Sequence, residues 1–172
     1  MRFIGKENTF TQLFHMSFFD DIGTDLHWLP WSGSIEMSNS SGEGQKSEEV
    51  AMVMPFSGRV ASCVVRTASL GGTNTNLGLG IVSSVPGADI VGSGWVEQEV
   101  EVMAVNSSDA NHVFNYVFSN SKHFNKGDAL AIYIQSSADI ANANSYWYVT
   151  SVVEFNLDAN LGNVSKEFDS VQ

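Results

Sequence analysis

The run from Trp95 to Val105 limits this chain more than any other stretch, because from Val96 to Ala104 its residues fall into two alternating sets. Val96, Gln98, Val100, Val102 and Ala104 occupy one set of positions, and Glu97, Glu99, Glu101 and Met103 the other. Successive side chains of a β-strand point to opposite faces, so period two means a strand with two unlike faces. The expectation is that the valine face turns inward and the glutamate face meets water. Glu97, Glu99 and Glu101 then stand about 7 Å apart along one strand face, a spacing that suits a charged surface discouraging edge pairing. A cation bridge between subunits is the lesser reading of the same three carboxylates.

Seven further runs rich in Val, Ile, Thr and aromatic residues share this character: Leu26 to Ser32, Glu49 to Met54, Gly58 to Ala68, Asn76 to Val82, His112 to Phe118, Ala129 to Gln135 and Tyr146 to Phe155. Turn residues separate them, as at Phe56-Ser57-Gly58, Gly71-Gly72, Pro86-Gly87, Gly92-Ser93-Gly94 and Asn125-Lys126-Gly127-Asp128. Glycine enters the φ > 0 region at little cost, so these clusters mark the strand ends. The stretch Asn39 to Gln45 reads as a long polar loop. No convincing amphipathic helix, heptad run or internal repeat competes with this pattern. The fold class expected is all-β: a single jelly-roll-like β-sandwich of about eight antiparallel strands.

A chain of 172 residues suits one such domain with flanking segments. The expected division is an N-terminal docking arm over 1–25, the sandwich over 26–156 and a C-terminal tail over 157–172. Five of the 11 phenylalanines, Phe3, Phe10, Phe14, Phe18 and Phe19, precede the first expected strand. An apolar arm of this kind either folds back on its own sandwich or reaches a neighbour, where aromatic anchors carry most binding energy. The reading adopted is docking on a partner. In the last strand both registers are bulky, Trp147, Val149, Val153 and Phe155 on one side and Tyr146, Tyr148, Thr150 and Val152 on the other. Cover on both sides is expected there, which makes Tyr146, Trp147, Tyr148 and Phe155 candidates for a subunit interface.

Charge narrows the partners. Eight Lys and Arg face 19 Asp and Glu, a net charge of −11, so a phosphate backbone meets repulsion and nucleic acid is disfavoured. Arg2, Lys6, Glu7 and Asp20 interrupt the first twenty residues, which hold neither a signal-type apolar core nor a span-length run, so neither secretion nor membrane insertion is expected. Cys63, the one cysteine, lies in the apolar run Val60 to Val65 and is expected to be buried and inert.

Reaction chemistry has little support. His15, His27, His112 and His123 are dispersed and match no metal-ligand spacing, so no metal is expected. Gly92-Ser93-Gly94 lacks the spacing of a nucleophile elbow, and no phosphate loop or dinucleotide fingerprint occurs, so neither a catalytic residue nor a cofactor is expected. Trp28, Trp31, Trp95, Trp147 and the Tyr146/Tyr148 pair could form a platform for host glycans, since ring faces stack on sugars. Core or interface placement is the plainer reading of each tryptophan. Asn39, Asn106 and Asn163 open Asn-x-Ser sequons that carry little weight without a secretory signal.

From Trp28 onward the order of features resembles the jelly-roll virion structural proteins of tailed, chiefly marine, phages, whose domain is similar to the trimeric C1q/TNF-like sandwich. The matching stretches, across about 130 residues, are His27-Trp28-Leu29-Pro30, then Val53-Met54-Pro55-Phe56-Ser57-Gly58-Arg59-Val60 leading into Val64-Val65-Arg66-Thr67-Ala68, then Phe124 to Ile132 around Asn125-Lys126-Gly127-Asp128, and the closing Val152-Val153-Glu154-Phe155. The resemblance implies a non-enzymatic structural protein on the virion surface, assembled in the host cytoplasm and commonly a trimer. The function expected is capsid decoration or cementing, with the major capsid protein or other virion proteins as partners. A fibre or tail-attachment domain and a glycan-binding adhesion module are the alternatives.

Overall fold

The structure is a computed structural model that describes residues 9–20, 22–32, 37–38, 50–67, 74–88, 95–105, 112–118, 123–138 and 145–157. Within these lie ten strands: β1 (Thr9–Asp20), β2 (His27–Leu29), β3 (Met37–Ser38), β4 (Met52–Val53), β5 (Ser57–Thr67), β6 (Thr75–Ser84), β7 (Val96–Val105), β8 (His112–Val117), β9 (Ala129–Ser136) and β10 (Ser145–Asn156). All pairings are antiparallel. One sheet has the order β1-β10-β5-β8, and the other β3-β2-β9-β6-β7, with β4 sharing with β2 one side of β9. From β5 the chain crosses to the second sheet, returns at β8, crosses again at β9 and closes at β10 between β1 and β5. This alternation between two packed sheets is the jelly-roll plan, so the fold class is the all-β sandwich expected.

Each of the eight expected runs contains a strand, and β1 and β3 are additional. The inner faces follow the alternation. Trp147, Val149, Val153 and Phe155 of β10 are buried against Leu77, Leu79 and Ile81 of β6 and Leu130, Ile132 and Ile134 of β9 in one large cluster. In β5 the buried residues change from even (Gly58, Val60) to odd numbers (Cys63, Val65, Thr67). The cause is a bulge: Val153 pairs with Val60 and Val152 with Ser62, leaving Ala61 as the extra residue. Tyr116 donates its hydroxyl to the Leu77 carbonyl at 3.1 Å, tying β8 to β6 across the core. The indole Nε1 of Trp31 donates to the Leu130 carbonyl at 3.0 Å, so both large side chains are buried with their polar ends bonded.

Two turns behave as their residues require. Gly87 and Gly127 have φ of 84° and 92°, the region where a Cβ is strained. At the second, Asp128 Oδ2 accepts from the Asn125 amide at 2.7 Å and the Gly127 amide donates to the Met54 carbonyl at 2.9 Å. The resembling motif Asn125-Lys126-Gly127-Asp128 is thus a turn fastened to the entry of β5. Gly71-Gly72, Gly92-Ser93-Gly94, the loop Asn39 to Gln45, the three sequons and the tail from 158 lie outside the described residues.

Three expectations are corrected. First, the segment expected to stand off as an arm is, over Thr9–Asp20, a strand paired residue by residue with β10. Its even-numbered aromatics complete the core, Phe18 stacking on Trp147 at 6.1 Å and Phe10 on Phe155 at 5.0 Å. The doublet Phe18-Phe19 and the mixed Phe14-His15-Met16-Ser17 hide the period, because the outward row is also partly apolar.

Second, the faces of β7 are reversed. Gly78 and Gly80 of β6 pair with Val102 and Val100, while Leu79 and Ile81 pair with Glu101 and Glu99. Paired residues share a face, so the inward Leu79 and Ile81 bring Glu101 and Glu99 to the inner side and send the valines out. Val102 is 59% exposed accordingly. A bulge at Ile81/Val82 then places Glu97 opposite Val82, on the outer face.

Third, the strand covered on both sides is β9, not β10. Trp28, Val50, Val82, Ala131 and Tyr133 form a second cluster on the outer side of the second sheet, with Leu26, Ala51 and Trp95 packed against it. Trp147 and Phe155, expected at a subunit interface, are core residues with 0% and 1% exposure.

Candidate functional site

Seven of the twelve exposed large apolar side chains among the described residues, Leu13, Phe19, Val64, Val113, Val117, Tyr146 and Tyr148, lie on the outer face of the four-stranded sheet, and the other five lie on or beside the second sheet. The register sets these seven in rows across the strands. Phe19 of β1 stands opposite Tyr146 of β10, with ring centroids 4.8 Å apart and both rings more than half exposed. Tyr148 stacks on Tyr146 at 6.5 Å, and the Arg66 guanidinium of β5 lies 5.9 Å from the Tyr148 ring centroid. Val113 of β8 completes this end beside Arg66. The next row is His15, Thr150, Val64 and Asn115, with His15 Nδ1 and Thr150 Oγ1 at 3.0 Å. Below it come Leu13, Val152, Ser62 and Val117, of which Leu13 is 64% exposed.

Electrostatics separate this face from the rest of the molecule. The chain carries −11, yet among the described residues the charged ones of the face are Arg66 and the Arg59–Glu154 pair, whose Nε and Oε2 are 2.7 Å apart. That pair is well exposed, so it contributes at most about 1 kcal/mol to stability. A broad apolar surface with little charge, on an otherwise acidic protein, is suited to contact with another macromolecule.

The structure divides the expected site residues. Tyr146, Tyr148 and Phe19 share the outer face, while Phe10, Phe14, Phe18, Trp147 and Phe155 belong to or pack on the core. Phe14 meets Trp31 edge-on at 5.1 Å. Phe3 lies outside the described residues. As a glycan platform, Trp28, Trp31 and Trp147 are unsuitable because they are buried, and Trp95 packs against the second cluster. Leu13, Val64, Val113 and Val117 join this face although their local sequence does not single them out. Only for the last two does it carry a signal, since β8 is apolar in both registers, Val113 and Val117 as well as Phe114 and Tyr116.

Other chemistry-bearing groups are occupied structurally. Cys63 is buried, its Sγ donates to Ser151 Oγ at 3.2 Å, and burial pushes its thiol up to about 12 despite that bond. His27 Nε2 accepts from the Gly23 amide at 3.0 Å, which assigns the proton to Nδ1 in the neutral ring. Among the described residues no group of three or more His, Cys, Asp or Glu gathers as metal ligands do, and no helix is long and apolar enough to cross a membrane. Burial, then the hydrogen bond and charge of neighbouring Glu99, raise the Glu101 carboxyl above its ordinary range.

No family model matches the chain, and no curated relative matches it. Among solved structures, one of turnip yellow mosaic virus is similar over 88% of this chain and 94% of that chain, with 11% sequence identity and a TM-score of 0.34.

Proposed function

We propose that the protein is a non-enzymatic structural component of a virus particle, in the manner of a capsid-surface decoration or cement protein of a tailed phage. It associates as a trimer and docks on the major capsid protein or other virion proteins at the particle surface. The observation that carries this reading is the outer face around Phe19, Tyr146 and Tyr148, which presents exposed aromatic rings where a surface of this acidity ordinarily carries charge. Aromatic anchors at the centre of an interface supply most of its energy, and a bridging subunit stabilises a shell by mass action. The resemblance of Val53 to Val60, Phe124 to Ile132 and Val152 to Phe155 to jelly-roll virion proteins supports the same assignment.

The test is binding of the purified chain to shells that lack it, with copies per particle counted by quantitative mass spectrometry. Many copies spread over the shell are expected, and the double variant Phe19→Lys/Tyr146→Lys binds at least about tenfold more weakly while unfolding at the same temperature. Undiminished binding by that variant overturns the docking face, and a few copies at one vertex place the protein on a fibre or tail instead. The exposed stack of Tyr146 on Tyr148 also favours a second reading, a sugar-stacking surface. That reading requires binding to a glycan array that Tyr146→Ala abolishes.

A further inference from the structure

The two long edge strands of this sandwich are treated differently by the sequence. β7 at the edge of the six-stranded sheet carries Glu97, Glu99 and Glu101 and a bulge, the devices that keep a sheet edge from pairing with another chain. β1 at the edge of the four-stranded sheet carries none of them. It runs twelve residues in unbroken register with β10, contains no Pro, Lys or Glu, and has Asp20 at its last position as its one carboxylate. Among the described residues no strand pairs with its other side, so half of its backbone N–H and C=O groups face outward along nearly the full height of the sheet.

We infer that the free edge of β1 is a strand-pairing site whose occupant is β1 of a second copy. Charge argues for this occupant. Two copies of a −11 chain repel over most approaches, but β1 against β1 brings together edges without like charges. In the antiparallel arrangement the two Asp20 residues lie at opposite ends of the ladder, as far apart as the strands allow. A two-fold axis perpendicular to the sheet produces this pairing and keeps both cores on the same side. Directly opposed residues share a face, so odd-numbered residues pair with odd-numbered ones, and the row Leu13, His15, Ser17 and Phe19 meets the same row of its partner. The result is a continuous eight-stranded sheet with order β8-β5-β10-β1-β1-β10-β5-β8, held by up to about a dozen new backbone hydrogen bonds. The backbone bonds of the edge hold this contact, with only the β1 row of the outer face beside it, so variants at Thr11 and Ser17 test it separately from the function proposed above.

The test uses the full chain in solution. Sedimentation equilibrium between about 1 and about 100 μM shows a reversible two-fold association of the unit present at the lowest concentration, whether single chain or trimer, and hydrogen exchange of residues 9–20 slows as concentration rises across that range. Thr11→Lys/Ser17→Lys places lysines on the outward row beside the edge, at positions that opposed strands bring face to face, and weakens the dimer at least about tenfold without altering the thermal midpoint at low concentration, where the dimer is dissociated. Val113→Lys, on the opposite edge strand of the same sheet, leaves it unchanged. A chain that stays monomeric over the whole range overturns the inference. So does a dimer that Val113→Lys disrupts and Thr11→Lys/Ser17→Lys does not, which would assign the contact to the outer face. If the chain is monomeric and the edge lysines instead prevent capture by shells, a strand of another virion protein occupies the edge and the second copy is excluded.

Discussion

Tyr133 occupies the space that any side chain at position 80 would need, so Gly80 is the condition for Tyr133 to lie across β6. A Cβ at Gly80 would stand far inside contact distance of Tyr133 Cζ and its hydroxyl oxygen. Crossing there lets the hydroxyl of a β9 residue reach β7, where it donates to Glu97 Oε2 at 2.8 Å. The ring also meets Trp28 edge-on at 5.4 Å in the second cluster. One glycine therefore joins three strands of the outer layer. Burial, then the bond and charge of Glu97, hold the Tyr133 phenol well above its ordinary range.

Gly80→Ala is expected to destabilise the protein by about 1–3 kcal/mol, the usual cost of overpacking where the neighbour is itself enclosed. Tyr133→Phe removes only the bond to a solvated carboxylate and costs about 1 kcal/mol. Urea unfolding checks both: the midpoint falls in this order while the slope is unchanged. An unaltered midpoint for Gly80→Ala would show that the ring lies elsewhere.

Glu101 gives stability a definite pH dependence. Its folded value is raised, so the folded chain holds the proton more tightly than the unfolded chain. This contribution is complete below the ordinary carboxylate range, about 4.3, and is lost as pH rises through the raised folded value. Glu101→Gln keeps a hydrogen-bonding side chain beside Glu99 and removes the charge. Thermal midpoints between about pH 4 and 7 should therefore decline less in the variant than in the wild type, with the variant the more stable at neutrality. Parallel profiles would remove Glu101 as the cause.

The Cys63 thiol, buried and raised to about 12, should not react with a disulfide reagent at mildly alkaline pH in the folded protein. In denaturant one thiol per chain reacts. If labelling tracks the global unfolding rate, the β5–β10 region opens only with the whole sandwich. Fast labelling of native protein would mean that this part of the core opens locally.

Trp147 and Phe19 separate core from surface within one pair of strands. Trp147→Ala removes a fully buried indole stacked on Phe18 and should cost about 3–5 kcal/mol. Phe19→Ala, on an exposed ring, should stay within about 0.5 kcal/mol. Denaturant midpoints measured side by side decide this, and comparable losses would contradict the division.

Eight of the ten strands were legible because each depends on local pattern and turn chemistry, whereas β1 and β3 were not. Gly127 followed by Asp128 marks its turn without knowledge of the rest of the chain. Of the proposed docking face, the sequence indicated Tyr146 and Tyr148, whose strand is bulky in both registers, and Phe19 of the apolar N-terminal segment. Leu13 was hidden beside Phe14, and Phe19 was not separated from the core residue Phe18, because an unpaired reading assigns all of them to one apolar arm.

Alternation by itself determined that Val96–Val105 is a strand with unlike faces, and that the chain is built of such strands with short turns. It could not determine which face is inner. A strand is symmetric in this respect, and only pairing with Leu79 and Ile81 of β6 turned Glu99 and Glu101 inward and the valines outward. The same holds at both ends of the chain: β1 and β10 are about 130 residues apart, and the assignment of Phe18 to the core and Phe19 to the surface exists only once they share a register. Local sequence determines the period of a strand, while the direction of each face is set by contacts between distant segments.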